Sequence, residues 1–124
     1  MNDKLLLVPG GDYFAKLRIY GWHWDKDSSV IVTREKGILK LKFDNESVIV
    51  SPLKTQIDDA LIEGEVYCST LLSNNQIGLG TINKGFFIIN RQGTLISEIN
   101  KRHGLKSEII NACYEDMQHG LWLA

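Results

Sequence analysis

The sequence predicts a mostly-β fold made of four-stranded antiparallel meanders, about two and a half of them, arranged as β-propeller blades. The first observation is the stretch from Glu65 to Asn100, where four β-rich runs follow one another: Glu65–Ser73, Gln76–Ile82, Gly85–Arg91 and Thr94–Asn100. Asn74-Asn75, Asn83-Lys84-Gly85 and Gln92-Gly93 separate them, and short runs bounded by Asn and Gly are the signal for a meander. The second is repetition. Thr33-Arg34-Glu35-Lys36-Gly37 returns as Thr81-Ile82-Asn83-Lys84-Gly85 after 48 residues (33 to 81), and Gln76–Gly80 lines up with Gly120–Ala124 at a spacing of 44 (77 to 121). The third is that units of this length with four strands each suit propeller blades rather than helical solenoids.

Taken in order, Leu5–Val8 is a short apolar run stopped by Pro9-Gly10-Gly11, and is expected to be the outer strand of a preceding blade. Lys16–Trp24 is aromatic and β-prone, with Tyr20, Trp22 and Trp24 alternating onto one face. Asp25–Ser28 makes a turn, and Ser29–Arg34, Gly37–Asp44 and Ser47–Lys54 supply three further strands, with Asp44-Asn45-Glu46 as a hairpin turn. Thr55–Gly64 breaks the alternation: Ile57, Leu61 and Ile62 recur at helical spacing and Gly64 is placed to cap one short helical turn. Lys101–Ser107 is read as the same connection without a helix, and Glu108–Asp116 and Gly120–Ala124 as two strands of a third copy.

The chain is therefore read as a single segment over 1–124. Leading strands (1–27) and a first blade run to about 54, a complete blade covers about 65–100, and a truncated blade covers 108–124. A net charge of −1 with 23% charged residues argues against a nucleic-acid or membrane-surface role resting on a basic field. No apolar run reaches the roughly 18 residues of a membrane helix, and the N-terminal MNDKLLLVPGG lacks the apolar core of a signal peptide. Two placements stay open: a cytoplasmic protein, or a segment of a longer exported chain.

Chemistry-bearing patterns each have a plainer reading. Asp25-Lys26-Asp27-Ser28-Ser29 begins like a calcium loop, but its sixth position is Val30 and its twelfth Lys36, so turn chemistry is favoured. Gly78-Leu79-Gly80 with Gly85 is no dinucleotide fingerprint, because no helix follows. His23, His103 and His119 lack a His or Cys partner at ligand spacing, and no nucleophile context surrounds any Ser or Cys. Asp58-Asp59 with Glu63 and Glu65 reads as a solvated helix end, and Asn45-Glu46-Ser47 as a glycosylation sequon by pattern only. Cys68 and Cys113 fall on equivalent strands of neighbouring units with side chains on opposite faces, so no disulfide is expected. No catalytic group, cofactor or metal is expected. Tyr20, Trp22 and Trp24 are the residues to watch for ligand contact: burial between blades is the favoured reading, and a stacking platform for a sugar ring the sharper one.

The segment GLKSEIINACYEDMQHGLWLA, Gly104–Ala124, resembles the repeat of two-component regulator propellers, whose pattern runs G-L-x-x-x-x-V-x-x-I-x-x-D-x-x-G-x-L-W-I-G-T. Gly104, Leu105, Ile110, Asp116, Leu121 and Trp122 fall on it, with Gly120 displaced by one. In the middle copy GTINKGFFIIN is similar to the part that follows, with one extra residue before Gly85, and Gly78 stands where the pattern has Trp. The resemblance covers about residues 28–124. It implies a non-enzymatic part of the periplasmic sensory region of a Bacteroides-type hybrid two-component system, working with the rest of a propeller and signalling through the membrane to a kinase. The motif's Leu-Trp-Leu strand is expected to pack between blades with both faces covered. Unfilled blade edges predict self-association. A protein-interaction scaffold is the alternative function.

Overall fold

A computed structural model of the chain describes residues 9–25, 28–45 and 47–124. The proposed leading strand at Leu5–Val8 lies outside them, as do Lys26 and Asp27 of the first turn and Glu46 of the next hairpin.

Ten strands are present among the described residues. β1 (Ile19–Trp24), β2 (Ser29–Thr33), β3 (Ile38–Asp44) and β4 (Ser47–Pro52) form one antiparallel sheet in sequential order. β5 (Val66–Leu71), β6 (Ile77–Thr81), β7 (Phe86–Ile89) and β8 (Leu95–Ile99) form a second, and β9 (Cys113–Glu115) pairs with β10 (Leu121–Leu123) in a hairpin. The strands overlap those read from the sequence, except that the proposed strand Glu108–Asp116 is shortened to the three residues of β9.

The three units stack face on face. In the first sheet, Trp22, Ile31 and Leu39 are cross-strand partners on one face, and His23, Val30 and Lys40 on the other. Val30, Val32 and Ile38, from the His23 face, join Ile77, Leu79, Phe87 and Ile89 of the second sheet in one buried cluster. All five residues of β2 and all five of β6 are buried, each strand lying between two paired neighbours in its sheet. The outer strand β4 buries none of its described residues. Apolar residues therefore gather in the middle strands, and the outer ones alternate with polar residues.

Local chemistry explains the repeat. The Thr33 hydroxyl donates to the Gly37 carbonyl (2.8 Å) and accepts from the Lys36 amide (3.1 Å). Thr81 does the same with Gly85 (2.8 Å) and Lys84 (2.9 Å). The shared T-x-x-K-G is thus a turn module closed by one hydroxyl, and its last residue takes a positive φ, 70° at Gly37 and 83° at Gly85. A second shared device is a β-bulge, between Ile19 and Gly21 in β1 and between Val66 and Cys68 in β5. The bulged residues Tyr20 and Tyr67 stack on each other across the two sheets, with ring centroids 5.5 Å apart.

The connections depart from expectation in two places. Asp58–Gly64 forms the one α-helix, α1, among the described residues, with the Thr55 amide and hydroxyl donating to Asp58 Oδ1 at 3.1 and 2.6 Å. Its C-cap is Glu65 (φ 57°), not Gly64, which lies buried in the last turn with Lys84 and Thr81 where a Cβ would go. Lys101–His103, read as irregular, is a 3-10 turn: Asn100 Oδ1 accepts from the Arg102 amide, and His103 Nδ1 accepts from the Asn100 amide. A capping box supplies the order that apolar periodicity could not signal in so short a segment.

Two substitutions probe this packing. Leu79→Ala, at a fully buried site between the sheets, is expected to cost about 2–5 kcal/mol in urea unfolding, whereas Ile96→Ala on exposed β8 stays within about 0.5 kcal/mol. Gly85→Ala strains a positive-φ position and drives a Cβ into the Ile99 carbonyl, costing roughly 1–3 kcal/mol.

Candidate functional site

The bulge decides where the sequence-predicted aromatics go. It takes Tyr20 out of the pairing register, and its ring packs against the inter-sheet core beside Tyr67. Trp22 and Trp24 resume the alternation on the face turned away from the second sheet. The three residues are therefore not one row. Tyr20 meets the core expectation, while Trp22 and Trp24 remain 48% and 57% exposed. Their indoles stack at 5.1 Å and 19°, and Trp24 stacks on Phe43 at 5.9 Å and 5°. The result is a ladder of three nearly parallel rings at a sheet surface. Phe43 was missed, although Leu39, Leu41 and Phe43 share the period of two that marks a strand face.

On the opposite face of β1, at the same end, a cleft of about 540 Å³ opens between the first two sheets. Asp25, Lys40, Asn74, Asn90 and Arg91 line it. Arg91 ties the sheets together: it donates to the carbonyls of Trp24 (2.7 Å) and His23 (3.4 Å) and to Asn75 Oδ1 (2.9 Å), with Asp25 Oδ2 at 4.0 Å. Its guanidinium organises the backbone that carries the Trp24 ring. Nothing in the sequence marked it, because its partners are mainly carbonyls.

His23 is buried against Ser69, with Nε2 2.9 Å from the Ser69 hydroxyl. That hydroxyl donates its proton to the Tyr20 carbonyl (2.8 Å), so the imidazole must be the donor to it. A histidine donating to a serine cannot act as its base, and the pair is an inter-sheet strut. Burial, then the nearby Arg91 charge, hold the His23 pKa below its usual value. Among the described residues no group of three or more His, Cys, Asp or Glu side chains could hold a metal ion.

The third unit shows what its motif does. Asp116 Oδ1 accepts from the amides of Gln118 (2.9 Å) and Gly120 (2.8 Å), and Oδ2 accepts from Trp122 Nε1 (2.7 Å). These donors hold its carboxyl below the usual range, the indole foremost. The expectation that Leu-Trp-Leu is covered on both faces is corrected: Leu121 and Leu123 are half-buried, but Trp122 is 66% exposed beside exposed Tyr114. Gly104 closes the 3-10 turn in a left-handed conformation, and the Leu105 amide donates to the Asn100 carbonyl. Ile110 is buried and its amide donates to the Thr81 carbonyl (2.8 Å), which anchors the third unit on the second sheet.

Cys68 and Cys113 are both free thiols. The expectation that their opposite-face positions keep them apart is corrected: in the first sheet the place of Cys68 is held by Gly21, whose added Cβ would meet the hydroxyl of Ser69, the residue at the place of Cys113, so the two sites face each other across the layers. In a stack, opposite faces of neighbouring layers are the faces that meet.

No family model and no curated protein matches the chain. Among solved structures, the chain is similar to one named as the extracellular domain of a hybrid two-component system from B. thetaiotaomicron, with a TM-score of 0.65 and 23% identity. The two share a fold. The match covers 87% of this chain and 14% of that one, so the chain spans about a seventh of the structure it resembles. Among the described residues no helix is long and apolar enough to cross a membrane.

The His23 strut carries a pH dependence. Its folded pKa lies below the unfolded value of about 6.5, so the unfolded chain takes up the proton first as pH falls. Melting temperature is expected to be full above pH 7 and to decline between pH 6.5 and the lower folded value, and His23→Gln should flatten that decline.

Proposed function

We propose that the chain is a non-enzymatic segment of the extracytoplasmic sensor region of a bacterial two-component regulator. In this reading its sheets are blades of a larger propeller. They contribute to ligand recognition and pass changes in packing to a kinase output across the membrane. The observation that carries the proposal is the shared fold with the extracellular domain of a hybrid two-component system over 87% of the chain. The motif resemblance in Gly104–Ala124 points the same way and favours a periplasmic location. Among the described residues, the one His–Ser pair is arranged as a strut, which supports a binding role over catalysis.

The exposed ladder of Trp22, Trp24 and Phe43 favours a carbohydrate ligand, since flat rings cover the apolar faces of pyranoses. In a thermal-shift screen against an oligosaccharide panel, at least one sugar is expected to raise the melting temperature, and Trp22→Ala should abolish the shift while leaving the sugar-free melting point nearly unchanged. If no sugar stabilises the protein and a stoichiometric protein partner is captured instead, the scaffold reading replaces it.

A second reading, assembly through open units, is favoured by the hairpin, where Tyr114, Met117 and Trp122 are all exposed. We infer that copies of the chain associate through this two-stranded unit, adding strands to its sheet or covering its outer face. Light scattering over a concentration series should show mass above that of one chain, reduced by Trp122→Glu. A single-chain mass at all concentrations would sink this idea.

A further inference from the structure

We propose that Cys68 and Cys113 form a reversible intrachain disulfide that clamps the β9–β10 hairpin onto the second sheet. The two residues come together by the logic of the stack. The hairpin register places Cys113 where β5 has Ser69, and the bulge places Cys68 where β1 has Gly21. At the first interface a Cβ added to Gly21 would run into the Ser69 hydroxyl, so these two positions face each other at side-chain contact. At the second interface the same two positions hold a pair of sulfurs. Cys68 Sγ also lies over Gly80 and 3.8 Å from the Ile110 carbonyl, within the seam that attaches the third unit.

The pair is chemically asymmetric. The neighbouring Cys113 thiol, and then the Gly80 backbone, hold the Cys68 pKa below the usual thiol value. Cys113, beside Cys68 and partly buried, is pushed up. Cys68 is therefore the first nucleophile and Cys113 the resolving thiol. Oxidation proceeds by exchange with an external disulfide, RSSR. The Cys68 thiolate attacks one sulfur of RSSR, the S–S bond breaks, and RSH leaves after taking a proton. Cys113, deprotonated as that first bond forms, attacks Cys68 Sγ, and the second RSH leaves. Two protein thiols and one RSSR become one protein disulfide and two RSH. The bond closes a loop of 45 residues (68 to 113), restricting the unfolded chain.

That an oxidising compartment supplies RSSR rests on the proposed extracytoplasmic location. The geometry does not, and the test uses a supplied oxidant. The full chain is treated with millimolar oxidised glutathione and analysed by non-reducing peptide mass spectrometry and thermal unfolding. The expected product is monomeric, lighter by two hydrogens, with Cys68 and Cys113 in one linked peptide and a melting temperature raised by about 5–15 °C. Cys113→Ser should instead stop at a glutathione adduct on Cys68 with no such rise. Separate glutathione adducts on both cysteines of the unsubstituted chain, a disulfide only between chains, or a linked peptide without a rise in melting temperature would each overturn the proposal.

Discussion

Everything in this molecule depends on covering both faces of a sheet. A four-stranded meander of about 35 residues cannot hide two apolar faces by itself, so each layer needs another in front and behind. The arrangement meets that need between the first and second sheets, where β2 and β6 are buried throughout. Among the described residues it is met only partly elsewhere: the Trp22–Trp24–Phe43 ladder on the first sheet and the Tyr114–Trp122 pair on the hairpin are exposed aromatic surfaces. Whether such surfaces are used for recognition or for assembly, the constraint that creates them is the same.

Polar groups tune this stack at its seams. His23 with Ser69, and Arg91 with the carbonyls of β1, are among the side-chain bonds between layers that apolar contact also joins. Unlike dispersion, such bonds fix orientation, since a misaligned donor forfeits its partner. The stacked tyrosines at matching bulges add a third contact at the same seam. The first two units are thus held in a defined relation by specific contacts as well as by burial.

The meanders were legible because their signals are local: Thr and Gly of the repeated turn, alternation along β3, and Asn-rich connections. What was not legible depends on register. Tyr20 looks like one of a row with Trp22 and Trp24 until a bulge, which carries no residue signature here, shifts it to the core side. Arg91 bonds carbonyls that any sequence would offer. For the cysteines, knowing the face was not enough, because the order of stacking decides which faces meet. The 3-10 turn at Lys101–His103 depends on an Asn–His cap too short for periodicity to reveal.

The turn built on Asp116 keeps its backbone bond in all three units while the side chains around it change: the amides of Asp25, Leu72 and Asp116 donate to the carbonyls of Ser28, Gln76 and Gly120. In the third unit one carboxylate serves two amides and the Trp122 indole at once. In the first sheet Asp25 stands at the aspartate's place with Val30 at the tryptophan's, and in the second both are replaced. Leu72 takes the place of Asp116, its amide still bonding across the turn to the Gln76 carbonyl, and Gly78 takes the place of Trp122, with the Phe86 ring in the vacated volume. The bond that spans this turn in every unit is therefore made by the backbone, which leaves each pair of side chains around it free to change separately.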